Sequence, residues 1–107
     1  MTTSSSVKTG KIIVQRLLQK KLITCGQIEK EIKSYYHWNG NKEVNREVRI
    51  VVKFKLGNED EIEKLLLDKH EYETPQWVYW EAEGSKDYIN WVNNPKFIDK
   101  RKFIIEV

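Results

Sequence analysis

From Glu47 to Leu56 the chain alternates: Val48, Ile50, Val52, Phe54 and Leu56 share one face, while Arg49, Lys53 and Lys55 share the other. A period of two over this length predicts a strand with one buried face. Elsewhere the period is helical. Ser5 or Ser6 can cap a helix running to about Lys21, with Ile13 and Leu17 four residues apart and Val14 and Leu18 alongside. Gly10 costs that helix some propensity, which close approach to a neighbouring strand would explain. Asn58 can cap a second helix over residues 59–69, with Glu61 three residues on and Ile62, Leu65 and Leu66 as its apolar stripe. Ser85 can cap a third over residues 86–93, where Tyr88, Trp91 and Val92 lie at i, i+3 and i+4 before Pro95 ends it.

The remaining segments read as strands. Gly26 argues against helix between Leu22 and Tyr36, although Ile28 and Ile32 alternate with polar residues only loosely. Tyr35, Tyr36 and Trp38 restore strand character, and Asn39-Gly40-Asn41 is a turn signal, so a long hairpin is expected. Residues 76–83, with Trp77, Tyr79 and Trp80, predict a further strand, and Lys102–Val107 a last one. The fold class expected is α+β: a ferredoxin-like split βαβ sandwich with a long β-hairpin, two helices covering one sheet face. Such a sheet opens with a central strand before the first helix. Met1-Thr2-Thr3 is short for that role, so this strand is expected to be truncated or replaced, with Phe103–Val107 of this chain or a neighbour as the substitute.

Size and charge narrow the function classes. A chain of 107 residues and 12.8 kDa suits one domain over residues 1–107, with residues 95–107 as a C-terminal extension that could add a strand. The longest apolar run is four residues, so neither a membrane span nor a signal-peptide core is expected, and the cytoplasm is the expected location. A single cysteine, Cys25, excludes an internal disulfide and a zinc site built on cysteines of one chain. The net charge of +3 comes from Lys and Arg mixed with Asp and Glu, and neither nucleic acid nor membrane is an expected partner. No nucleophile–base pair or spaced carboxylate pair stands out, so no enzyme activity is expected.

The densest candidate chemistry is the junction His70-Glu71-Tyr72-Glu73-Thr74-Pro75. His70 could bind metal, transfer a proton or order a cleft wall, but in an extended segment Glu71 and Glu73 point away from His70 and Tyr72. Tyr72 and Pro75 suit a role in ordering the connection. Cys25 could act as nucleophile or ligand; with no local base, a small buried residue is the plainer reading. His37, near the hairpin tip, suits a solvated turn or an interface. Trp77, Tyr79 and Trp80 could stack on bases, yet Trp77 and Val78 should face opposite sides, one to the core and one to an interface. Lys53 is either a solvent-facing strand lysine or a contact for an anion.

Several separated stretches together resemble the CutA divalent-cation-tolerance family: Leu22-Ile23-Thr24-Cys25, Ser34-Tyr35-Tyr36-His37-Trp38-Asn39-Gly40, the strand ending near Lys53, His70–Pro75, and Asp87-Tyr88-Ile89-Asn90-Trp91. The resemblance spans residues 2–94. It implies a ferredoxin-like subunit assembled into a homotrimer through sheet edges and the long hairpin, a non-enzymatic role in tolerance of copper and other divalent ions, and a weakly bound divalent cation such as copper as the one cofactor suggested. The copper ligands proposed for bacterial members fall here on Thr2, Lys69 and Gln76, none of which suits a soft transition metal. His70 aligns with the motif histidine, and Cys25 with the family's usual buried cysteine. The alternative is a signalling module that binds a small molecule or anion between subunits, with Lys53, His70, Tyr72 and Trp91 as cleft walls.

Overall fold

The computed structural model describes residues 1–96, so Lys102–Val107, the expected last strand, lies outside the described residues. Six elements follow in order: β1 (Thr2–Ser4), α1 (Val7–Gln19), β2 (Cys25–Trp38), β3 (Asn41–Lys53), α2 (Glu59–Lys69) and α3 (Lys86–Asn93). The strands form an antiparallel sheet in the order β1-β3-β2, and this is the ferredoxin-like arrangement. The slot before the first helix is taken by β1 itself, with Thr2, Thr3 and Ser4 opposite Ile50, Arg49 and Val48. The strand is short, as expected, and among the described residues no other segment takes its place; Phe103–Val107, the suggested substitute, lies outside them.

Local chemistry sets the helix ends. Ser6 caps α1, its hydroxyl accepting from the Thr9 amide at 3.2 Å. At the other end Lys21 adopts φ +58°, and the amides of Lys21 and Leu22 reach back to the carbonyls of Leu18 and Leu17. This is a Schellman stop with lysine in the position glycine usually holds. The expected Asn58 cap is not made. Its side chain instead donates to the Leu22 carbonyl at 3.0 Å, tying the start of α2 to the end of α1. Ser85 likewise precedes α3 without a side-chain cap.

The core lies between α1, α2 and one sheet face, where Ile13, Val14, Leu17, Leu22, Ile23, Val48, Ile50, Ile62 and Leu66 cluster. Burying each such side chain contributes roughly 1.5–3 kcal/mol. Gly10 has the packing reason anticipated: a Cβ there would meet Ile50 Cδ1 at 3.3 Å. Leu56, placed by its alternation on the buried face, lies past the end of β3 and is exposed.

A β-bulge explains the loose alternation in β2. Ile28 opposes Ile50 and faces the helices, but Lys30 and Glu31 together oppose a single β3 residue, so Ile32 opposes Glu47 on the other face. One extra residue inverts every side chain beyond it. Glu31 sits at φ +59°, a conformation that costs a non-glycine residue about 1 kcal/mol. At the tip, Asn39 (φ +51°) and Gly40 (φ +80°) form the two-residue hairpin turn.

The predicted strand over residues 76–83 is not formed as a ladder. Val78 exchanges main-chain hydrogen bonds with Met1, at 3.0 and 2.6 Å, which places this segment beyond β1 at the sheet border. Among the described residues nothing else pairs with its backbone, and a strand needs a partner along its length. Trp77 and Val78 do part as expected: Trp77 packs on the core against Phe54, and Val78 is exposed.

Candidate functional site

The junction after α2 is held to β1 and β3 by three successive side chains. His70 Nε2 lies 2.7 Å from the Thr3 carbonyl oxygen, and the Tyr72 amide donates to His70 Nδ1 at 3.0 Å. A carbonyl can only accept, so Nε2 carries the proton and Nδ1 offers its lone pair to Tyr72. Both ring nitrogens are thereby used within the chain. This arrangement favours the structural role for His70, because a metal or a transferred proton would have to displace the Tyr72 amide.

Glu71 turns towards the start of α1. Its Oε1 accepts from the Ser5 amide at 2.7 Å and the Ser4 hydroxyl at 3.3 Å. Burial alone would raise its pKa, but the hydrogen bonds from Ser5, Ser4 and Thr9 outweigh it and hold the carboxyl below its usual range. The sign follows directly. The contribution of Glu71 to stability is present above the ordinary carboxylate pKa and is lost as pH falls through the lowered folded value. Stability measured by urea unfolding should therefore decline on acidification below about pH 4.3, the ordinary glutamate value. The Glu71→Gln variant should show a shallower decline; an unchanged pH profile would remove this role.

Tyr72 completes the set. Its hydroxyl donates to Glu47 Oε2 at 2.7 Å, and its ring lies 4.8 Å from that of His70, tilted by 45°. Burial, then the hydrogen bond to Glu47 and that carboxylate's charge, push the phenol pKa up, so it remains a donor. Glu47 is buried on the sheet face away from the helices. Neither the Glu47 partnership nor the Glu71 anchor was visible in sequence: the partners lie 25 and 66 residues apart, and no local periodicity connects them.

Lys53 and Trp91 form a second corner. Thr24 builds it by bridging two elements: its amide donates to the Lys53 carbonyl at 2.9 Å and its hydroxyl to the Val92 carbonyl at 2.6 Å. That places Lys53 Nζ 5.4 Å from the centroid of the Tyr88 ring, which itself packs against Trp91 at 5.8 Å. Glu47 and Lys53 are six residues apart on β3, about 20 Å at strand spacing. The four cleft candidates thus fall into two pairs, His70 with Tyr72 beside the middle of β3 and Lys53 with Trp91 at its C-terminal end. One chain does not bring the two pairs together.

Residues 1–95 match the family described as CutA1 divalent ion tolerance protein. The chain belongs to that family. A divalent-cation tolerance protein CutA from Escherichia coli is 26% identical over 94 residues, covering 87% of this chain and 84% of the relative. Among solved structures, the divalent cation tolerance protein of Thermus thermophilus superposes with a TM-score of 0.82 at 25% identity, covering 86% of this chain and 90% of that one. The periplasmic divalent cation tolerance protein CutA of Archaeoglobus fulgidus gives 0.80 at 30% identity, covering 85% and 89%. Membership places this CutA family member among proteins of divalent-ion tolerance.

The remaining candidates of this CutA family member do not converge. Thr2 is buried beneath the helices, Lys69 is exposed and pairs with Asp68 at 3.4 Å, and Gln76 is exposed. Among the described residues no group of three or more His, Cys, Asp or Glu side chains is placed to hold a metal ion. Cys25 is half-buried rather than buried, because it opens β2 opposite Lys53, on the face the helices do not cover. His37 lines an open hollow of about 210 Å³ at the hairpin with Tyr35, Tyr36, Lys42, Glu43 and Val44, smaller than an ordinary ligand pocket. Among the described residues no helix is long and apolar enough to cross a membrane.

Proposed function

We propose that this protein serves divalent-ion tolerance in the cytoplasm as a homotrimer, assembled by joining the open borders of the sheet of one copy to those of the next. The observation that carries this reading is that the sheet ends in two unlike borders. At one lies the outer edge of β2, which no described strand pairs, and at the other lies the segment 76–83. Unlike edges that complement one another build heterologous contacts, which close into a ring when the rotation from copy to copy closes. Exposed aromatic residues mark both borders: Tyr35 is 72% exposed on the hairpin and Trp80 64% on the segment.

Light scattering should give three times the 12.8 kDa chain mass at micromolar concentration. Tyr79→Glu with Trp80→Glu, which buries charge in the joint, should shift the population to monomers. A wild-type monomer would end this proposal. Copper titrated against a competing chelator is expected to show no tight site in either form.

The second reading is an anion cleft shared between copies. It rests on Lys53, a half-buried residue whose ammonium lies over the Tyr88 ring and makes no ion pair among the described residues. Because the two pairs of candidate residues stand well apart along β3, one at its middle and one at its C-terminal end, a single cleft of Lys53, Trp91, His70 and Tyr72 has to draw on two chains. Phosphate titrated into the assembled protein should then bind saturably, and Lys53→Gln should weaken it about tenfold. Equal affinity in the variant would reject the cleft.

A further inference from the structure

The mixed charge of the whole chain hides a segregated region. None of the 16 acidic residues occurs before Glu29, whereas five of the 19 basic ones do: Lys8, Lys11, Arg16, Lys20 and Lys21. Folding concentrates them. The inner side of α1 is the buried set Gly10, Ile13, Val14 and Leu17, so the basic residues all project from its outer face and its C-terminal end. From Lys8 to Lys20 this ridge is about 18 Å long. The ion pairs found among the described residues are Arg49–Glu29 and Lys69–Asp68, and neither involves α1. Acidic α2 packs beside α1 without neutralising it.

Two apolar side chains sit within the same ridge, Ile12 at 50% and Leu18 at 43% exposure. They distinguish the possible partners. A nucleic-acid backbone supplies phosphates but nothing for Ile12 and Leu18 to cover, and α1 has no aromatic residue on which a base could stack. A membrane-surface helix presents a broad apolar face to lipid, whereas the apolar face of α1 is spent on the core. An acidic helix with its own apolar stripe satisfies both features, giving carboxylates to the lysines and arginine and apolar contact to Ile12 and Leu18.

We propose that the outer face of α1 is a docking ridge for an acidic, amphipathic segment of a partner protein. The ridge lies on the helical layer, whereas the joint proposed above uses the borders of the sheet, so the two proposals draw on different surfaces. It therefore stands whether or not the ring forms.

The test is fluorescence anisotropy of the full chain with a labelled eighteen-residue Glu/Leu amphipathic helix, run beside an oligouridylate of equal charge and phosphatidylserine vesicles. The peptide should bind saturably at low salt and more tightly than either other polyanion. Combining Lys8→Gln, Lys11→Gln and Arg16→Gln should weaken it at least tenfold, since three exposed pairs of about 0.5 kcal/mol each add to roughly that factor. Ile12→Ser should weaken it severalfold while circular dichroism stays unchanged. The proposal is overturned if the peptide does not saturate, if the triple variant binds it equally, if Ile12→Ser has no effect, or if RNA or vesicles bind as tightly.

Discussion

Replacing His70 with alanine should lower the unfolding free energy by about 3 kcal/mol, more than any other single change in the junction. The imidazole satisfies two main-chain groups at once, the Thr3 carbonyl at 2.7 Å and the Tyr72 amide at 3.0 Å. Thr3 is buried, so its carbonyl gains little water when the donor is removed. Loss of the ring also removes the side chain against which Tyr72 packs, and with it the support for the hydrogen bond to Glu47. Tyr72→Phe should cost less, about 1–3 kcal/mol, chiefly by leaving the Glu47 carboxylate buried without its donor. Because the side chains share one network, the double variant should cost less than the sum. A metal-ligand role predicts something different: copper or zinc would raise the wild-type melting temperature and not that of His70→Ala. A metal-dependent rise confined to the wild type would overturn the structural assignment.

Gly26→Ala should be nearly as damaging. A Cβ at this position would stand 2.6 Å from Cγ1 of Val14 and 3.1 Å from its Cγ2. Val14 is short, branched and held in the middle of α1, so it has no low-energy rotamer into which to retreat. The helix would have to move away from β2, at a cost of about 2–3 kcal/mol. Pairing the change with Val14→Ala should recover more than half of that loss in denaturant unfolding, because the second substitution removes the clashing methyls. A double variant no more stable than Gly26→Ala alone would show that the loss arises elsewhere, as in the unfolded chain.

Both predictions concern features that sequence signalled only in part. Gly26 read as a helix breaker, but its contact with Val14 depends on how α1 crosses β2. His70 stood out as one of two histidines in the chain, while its acceptors became apparent only once β1 lay beside it. The hairpin shows the same limit in another form. Its turn was legible because Asn39-Gly40 supplies left-handed conformations locally, whereas the bulge at Lys30–Glu31 was hidden because Glu31 is not the glycine that such a bend favours. The segment 76–83 carries strand composition without a ladder, since pairing depends on an edge that its own sequence cannot supply.

The sequence alone determined the helices, the long hairpin, the ferredoxin-like class and, through motifs at coherent spacing, the family. These follow from side-chain periodicity, turn chemistry and residue identity, which act over a few neighbouring positions. The tertiary structure decided the rest: that Thr2–Ser4 fills the first strand, that His70 is fully engaged by main-chain partners, and that Lys53 with Trp91 lies at the C-terminal end of β3 while His70 with Tyr72 lies beside its middle. It also gathered the early lysines on one open ridge. Those outcomes depend on contacts between segments far apart in the chain, whose geometry is fixed only when the helices close over the sheet.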